Sequence, residues 1–289
     1  MGILLYADDI ALIANSEGEL QTLLNALEQW GKHWQLKVNN LKTNIVHFRN
    51  RGKKCTQYLF TFDDKELNKV NQYKYLGFWL NENLKYEESA EILSEAGSRA
   101  LGTIIGKFKS IKNITYDTFT KLYSTSVLPV IDYASEIWGF SKALSCDKVQ
   151  HKAMRYFLGV HKFCPLPAMC GDMGWLDSRS RRFLNMLKFW NRLVAMSENR
   201  LTKKLFTYDY ENSNLGADNW CKEIESVLDE VNMLNIYVDK SICPIEVLEN
   251  KLYCYSENIW IEKCKNMPKL RTYILFKDKF QTEPYLKTL

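Results

Sequence analysis

The chain has 289 residues, is 46% hydrophobic, 25% charged and 13% aromatic, and carries a net charge of +5. That balance fits one or two packed domains and excludes a disordered or low-complexity polypeptide. None of the eight cysteines forms a C-x-x-C pair or stands with histidine at zinc-finger spacing, so free thiols packed in a reducing, intracellular compartment are expected. No basic region precedes the first apolar run, and charges break every apolar run well short of about 18 residues, so neither a signal peptide nor a membrane span is expected.

The chain opens with "ILLY" and "IALIA", two short strands with Ala7, Asp8 and Asp9 at their reversal. Ser16 and Glu19 then have the spacing of a helix-starting capping box. Leu20, Leu23, Leu24, Leu27, Trp30 and Trp34 fall on one face of that helix, which is expected to pack on the hairpin. "NIVHF" reads as a strand with Val46 and Phe48 on one side. "RNRGKKC" reads as a loop, and "YLFTF" and "YKYLGFWL", with the solvated turn "DDKE" between them, read as a hairpin or two adjacent strands. From residue 86 the apolar period becomes helical, with Ile92, Leu93, Leu101, Ile104, Ile105 and Phe108 on one face. Further helical patterns cover "YDTFTKLYSTSVLPVIDYASEIWG", where Pro129 is expected to kink or break the helix, and four later segments that reach "EVLENKLYCYSENIWIEKC". The expected fold class is α+β and mostly helical. Changes of period and charge divide it into residues 1–82, 83–204 and 205–289.

Charge is unevenly spread: residues 1–96 carry net −2, residues 97–204 net +11 and residues 205–289 net −4. A basic middle third suggests a polyanion-binding surface, and the competing reading is a set of solvated helix faces. Arg99, Lys107, Lys109 and Lys112 lie on or just after one helix, and Lys148, Lys152 and Arg155 share a face of another. Arg179, Arg181, Arg182, Lys188 and Arg192 populate a third. Tyr156, Phe157, Trp175 and Trp190 lie among them and read as core, because they share helical faces with Leu and Met.

Adjacent carboxylates at a tight reversal can converge on a hard cation such as Mg²⁺, which takes oxygen ligands and substrate phosphates. Two such ions serve many nucleotidyl transfers. A bare Asp-Asp is more often a surface turn. Here, however, "YADD" between two apolar strands resembles the Tyr-x-Asp-Asp catalytic hairpin of reverse transcriptases. The following segments resemble, in order, the non-LTR retrotransposon (LINE-type) enzymes. These are the Trp-bearing helix, the Asn-x-x-Lys-Thr turn at Asn39, Lys42 and Thr43, the primer-grip-like "YKYLGFWL", then "LPVIDYASEIWG", "KVQHKAMRYFLGV", "GDMGW", "FWNRL" and "KLRTYILFKDKF". The resemblance implies a small antiparallel part of the palm in residues 1–82, a basic helical thumb and start of the connector in 83–204, and a helical connector in 205–289.

The resemblance also implies roles. Asp8 would be a metal ligand, and Asp9 a ligand or electrostatic neighbour. Tyr6 and Ala7 would lie by the incoming nucleotide or primer end, and Lys42 near the departing pyrophosphate as a general acid. Leu76 and Gly77 would shape the primer grip. Arg99, Lys107, Lys109, Lys148, Lys152 and Arg155 would contact the nucleic-acid backbone. The implied cofactor is Mg²⁺, and the implied partners are an RNA template and a DNA primer, in nucleus and cytoplasm, without a membrane. The family's further palm carboxylate and its fingers precede the hairpin, so this chain is expected to be a fragment of an RNA-directed DNA polymerase, inactive alone. The alternative is a non-catalytic nucleic-acid-binding remnant or domesticated module.

Overall fold

The computed structural model describes residues 2–109 and 114–288. It is 57% helical with small, mostly antiparallel sheets, a mostly helical α+β chain. Two compact units compose it, Met1–Tyr86 and Glu87–Leu289.

In the first unit, β1 (Gly2–Tyr6) and β2 (Asp9–Ile13) form an antiparallel hairpin in which Tyr6 faces Asp9 and Leu5 faces Ile10. Ala7 and Asp8 alone make the reversal. Ala7 has φ 51°, the left-handed backbone that a two-residue hairpin loop requires at its first position. The reversal is thus one residue tighter than the sequence suggested, and Asp9 is the first residue of β2. Helix α1 (Glu17–His33) starts where its capping pattern predicts: Ser16 Oγ accepts the Glu19 amide at 3.3 Å, while the Glu19 carboxylate reaches one residue further back, to the Asn15 amide at 3.1 Å. Its Leu24 is buried with Ile45, Phe60, Phe62 and Leu67, and Leu12, Leu20, Leu27 and Val38 pack around them. Trp34, expected on this face, is 61% exposed, because the helix ends at His33 and Trp34 caps it outside the packed stripe.

The rest of the unit is short strands: β3 (Asn44–Ile45), β4 (Thr61–Phe62), β5 (Lys65–Glu66), β6 (Asn68–Lys69), β7 (Gln72–Tyr75) and β8 (Phe78–Asn81). β3 runs parallel to β6, while β4–β5 and β7–β8 are hairpins. The strand expected through Phe48 stops at Ile45, and Phe48 is exposed. Asp63–Asp64 and Leu76–Gly77 both place two consecutive residues at positive φ (52° and 54°, 47° and 86°), as type I′ turns demand. Asp63 and Asp64 are exposed, in keeping with a solvated turn. The Arg49–Glu82 ion pair at 2.6 Å and the bond from the Asn83 amide side chain to the Arg49 carbonyl hold the end of β8 to the loop after β3.

The second unit is all helix: α2 (Glu87–Phe108), α3 (Tyr116–Ser126), α4 (Leu128–Ile131), α5 (Ser135–Trp138), α6 (Leu144–Leu158), α7 (Leu166–Met173), α8 (Ser178–Val194), α9 (Leu201–Asn214), α10 (Trp220–Glu230), α11 (Leu234–Val238), α12 (Ile245–Lys265), a 3₁₀ turn at Pro268–Leu270, α13 (Tyr273–Phe276) and α14 (Pro284–Thr288). Pro129 sits in the first turn of α4, where its missing amide costs nothing, and separates α4 from α3. Helices α2 and α6 pack side by side in the same direction: Cys146 Sγ lies 3.8 Å from the Ala90 carbonyl, and Lys152 Nζ lies 3.4 Å from Ser98 Oγ. The largest core runs from Leu176 to Leu252 around Trp190, Met186 and Leu187. The division expected at residue 205 falls inside α9 and within this core.

"GDMGW" proves to be a packing hub. The Asp172 carboxylate accepts the hydroxyls of Tyr273 (2.7 Å) and Tyr285 (3.0 Å), and the Met173 carbonyl accepts those of Tyr116 (2.9 Å) and Thr282 (3.0 Å). Trp175 stacks on Tyr123 at 4.8 Å, and Trp190 is fully buried. These aromatics are core, as their spacing suggested.

Candidate active site and nucleic-acid interface

The first unit carries the carboxylate pair. Because side chains alternate along a strand, Tyr6, Asp9, Leu4 and Ala11 share one face of the hairpin, and Leu5, Ile10, Ile3 and Leu12 share the other. Leu12 marks the second face as the one toward α1, so Asp9 and Tyr6 look away from that helix. Asp8 stands at the loop apex. Both aspartates are exposed, and among the described residues neither carboxylate has a hydrogen-bond or ion-pair partner. The donor set is two hard, ionisable oxygen groups side by side, which suits a divalent cation such as Mg²⁺ better than a soft metal. Among the described residues no third His, Cys, Asp or Glu joins them, so the pair alone could supply only part of a coordination shell.

Lys42 is presented by a turn that Asn39 builds. The Asn39 carbonyl accepts the amides of Lys42 and Thr43 and the Thr43 hydroxyl at 3.0–3.1 Å, while Asn39 Oδ1 accepts the Leu41 amide at 3.1 Å. This is the physical content of the Asn-x-x-Lys-Thr pattern: an Asx turn locked by a threonine, with the Lys42 side chain outward and exposed. The Lys42 carbonyl in turn accepts Tyr73 Oη at 3.1 Å. Tyr73 lies in β7, so this bond ties the turn to the hairpin whose tip is Leu76–Gly77. Sequence reading did not single out Tyr73. A tyrosine in a half-buried strand carries no signal of its partner.

The second unit carries the basic surface, and the structure thins it. Arg99, Lys107 and Lys109 on and after α2, and Lys148 and Lys152 on α6, are exposed. Lys152 Nζ lies 3.4 Å from Ser98 Oγ, so this cation stands at the contact of α6 with α2. Arg155 is half-buried, and its Nε is a buried atom without a hydrogen-bond partner. Lys112 lies outside the described residues. The third group is partly drawn inward or paired. Arg179 is held bidentately by Glu230 at 2.7 and 2.9 Å. Arg181 pairs with Asp132 at 3.1 Å and with Gln150. Arg182 is 2% exposed, bonded to the Gly139 carbonyl and Ser178, and lies over Trp138; its burial pulls the guanidinium below its usual range. Lys203 is buried as well, donating to the Leu193 and Val194 carbonyls that end α8. Of that third group, Arg179, although paired, and Lys188 and Arg192 are exposed.

This geometry sits in a recognisable sequence context. Residues 1–80 match the reverse transcriptase (RNA-dependent DNA polymerase) family. Over a longer stretch the chain is similar to RNA-directed DNA polymerases of mobile elements. It is 26% identical over 164 residues to the RNA-directed DNA polymerase from mobile element jockey of Drosophila funebris, a match covering 54% of this chain and 18% of that protein. It is 23% identical over 218 residues to the jockey polymerase of Drosophila melanogaster, covering 72% and 24%. A transposon-derived protein of Caenorhabditis elegans is 30% identical over 146 residues, covering 48% and 50%. The chain therefore spans about a fifth to a quarter of the length of the jockey polymerases it matches. No solved structure matches it. Among the described residues no helix is long and apolar enough to cross a membrane.

Proposed function

We propose that these residues serve RNA-directed DNA polymerisation on a DNA primer and RNA template as part of a non-LTR retrotransposon reverse transcriptase. In this reading residues 1–82 are the end of the palm, 83–204 the thumb and the start of the connector, and 205–289 connector. The observation that carries the proposal is the pair Asp8–Asp9, exposed at the tip of a two-residue hairpin inside the segment that matches the reverse transcriptase family. Asp8 and Asp9 would hold Mg²⁺, which when bound lowers the barrier to attack by a primer hydroxyl and neutralises charge on the leaving phosphates. Tyr6, on the face that carries Asp9, lies with Ala7 where a nucleotide or primer end would rest. Lys42, fixed by the Asn39 turn, is the proton donor for the departing pyrophosphate, a contribution on the order of 10²–10⁴ in rate. Leu76 and Gly77 form the primer-gripping tip. Arg99, Lys107, Lys109, Lys148, Lys152 and Arg155 follow the phosphates of the template–primer duplex, positioning it without reading sequence.

The tests separate the two units. Six neutralised phosphates predict a fall in affinity for an RNA–DNA hybrid of about 10³-fold between 50 and 200 mM salt. Replacing Lys148, Lys152 and Arg155 with Gln halves the slope and reduces that fall to roughly 40-fold. Asp8→Asn with Asp9→Asn leaves the salt slope in place but abolishes Mn²⁺-induced broadening of the NMR signals of residues 6–10. Broadening that survives the double substitution, or binding indifferent to salt, overturns the reading. The 289-residue chain is expected to bind without extending a primer. A second reading, a nucleic-acid-binding module without catalysis, is favoured by one observation: among the described residues no third ligand joins the carboxylate pair. Extension that returns in a longer polymerase context, and depends on both aspartates, decides between the two.

A further inference from the structure

We propose that Phe163, in the loop between α6 and α7, is a stacking platform for one unpaired base at the end of a duplex lying along α6. The inference rests on the nucleic-acid reading above and extends it to a residue that neither the motifs nor the basic helices include. Phe163 is 76% exposed, at the end of the helix that carries Lys148, Lys152 and Arg155.

The loop is built to hold the ring out. Gly159 ends α6 with φ 64°, and the Val160 amide returns to the Arg155 carbonyl at 3.2 Å. His161 to Cys164 close a turn through the Cys164 amide and the His161 carbonyl at 2.9 Å, and the Phe163 amide points to His161 Nδ1 at 3.4 Å. Val160 and Cys164 pack inward on the core around Met154 and Met169. The two ends of the turn are thus anchored, and Phe163 projects from a fixed tip rather than from a loose strand of chain. Lys162 Nζ lies 5.0 Å from the Phe163 ring centroid, and the His161 ring lies 5.0 Å away, tilted by 55°. An aromatic ring largely open to water with a lysine beside it is the combination that single-stranded nucleic acids use: the base stacks on the ring, and the adjoining phosphate meets the charge. Every base has a π-face, so the contact accepts any base. The chemistry specifies an unstacked base joined to a phosphate, and an overhang at a duplex end supplies it.

The test uses the full 289-residue chain and two RNA–DNA hybrids of about 16 base pairs, one blunt and one with a single unpaired 2-aminopurine at its end. The expected result is that the chain binds the overhang on the order of tenfold more tightly than the blunt end, with quenching of 2-aminopurine fluorescence. Phe163→Ala brings the ratio of the two affinities to about one and removes the quenching, whereas Phe163→Trp keeps both and shows that the loop still folds. Equal affinities in the unmodified chain, or a ratio that survives Phe163→Ala, overturns the proposal while salt-dependent binding of the blunt hybrid still stands. If neither hybrid binds at 50 mM salt, the nucleic-acid reading falls and this inference falls with it.

Discussion

Gly174 offers a test of how the end of the chain holds the second unit together. Gly159 and Gly174 both end helices in the left-handed region, at φ 64° and 61°. A Cβ on Gly159 would meet nothing within 4 Å, so Gly159→Ala costs only the left-handed strain of an L-residue, about 1–2 kcal/mol. A Cβ on Gly174 would overlap the Thr282 amide nitrogen and lie 2.6 Å from the Gln281 carbonyl carbon, both backbone atoms. The segment from Gln281 to Leu286 would have to move. Forcing a carbon into a packed site adds about 1–3 kcal/mol. Displacing the segment loosens the bonds from the Glu283 amide to the Asp172 carbonyl (2.9 Å) and from the Thr282 hydroxyl to the Met173 carbonyl (3.0 Å), each worth roughly 0.5–1.5 kcal/mol. Gly174→Ala is therefore expected to destabilise by about 3–8 kcal/mol and Gly159→Ala by about 1–2 kcal/mol. Urea unfolding of both variants gives the comparison, and proteolysis after Lys277 or Lys279 should rise in the first alone. Equal losses within about 0.5 kcal/mol, a resolution that denaturant midpoints allow, would show that the hub does not depend on the docked terminus.

Asp132→Ala is expected to cost about 3 kcal/mol in thermal or urea unfolding, because it strands the buried Arg181 guanidinium; a loss below about 1 kcal/mol would mean that the remaining partners satisfy it. Burial raises the thiols of Cys146, Cys170 and Cys243 from an ordinary 9.0 to about 11, and that of Cys221 to about 12. A folded-state pKa above the unfolded one means that this stability is complete below about pH 9 and lost as pH climbs through 11 to 12, so the urea midpoint should fall over that window, and a rise there would contradict the assignment. Iodoacetamide at pH 8 should modify the exposed Cys254 well before those four, as read by peptide mass. Hydrogen exchange should be faster at residues 2–13 than in α6 and α8, because a two-stranded hairpin is marginal alone and this one exposes Leu5 (70%) and Tyr6 (63%); slower exchange in the hairpin would refute this.

Local rules carried far in this chain. Alternation and the two acidic residues gave the first hairpin, Ser16 and Glu19 fixed the start of α1, and Pro129 fixed the break before α4. These features depend on residues within a few positions of one another. The largest misreading is long-range. Arg181 and Arg182 count as +2 in any tally, yet their partners Asp132, Gln150 and Gly139 lie about 30 to 50 positions away, so a charge count cannot tell surface from core. The boundary expected at 205 rests on a change of charge, and α9 spans that position. Trp34 continued an apolar stripe that its helix did not continue. Within the candidate sites, the spacing of Lys148 and Lys152 was legible because helical period sets it. The Tyr73 tether and the exposed Phe163 were not, because a partner and its absence are both invisible in a local pattern.

The shared direction of α2 and α6 has an electrostatic consequence. Each peptide unit is a small dipole, and in neighbouring helices that run the same way the two macrodipoles add instead of cancelling. Their negative ends lie beyond Phe108 and Leu158, and Lys107 and Arg155 occupy the last turns there. A cation in such a place stabilises its helix by about 0.3–1 kcal/mol. It also spends part of its field on its own backbone. With roughly half an elementary charge at each helix end, about one unit of the positive charge on these two helices acts inward, and an approaching phosphate strand feels that much less than the side chains would suggest.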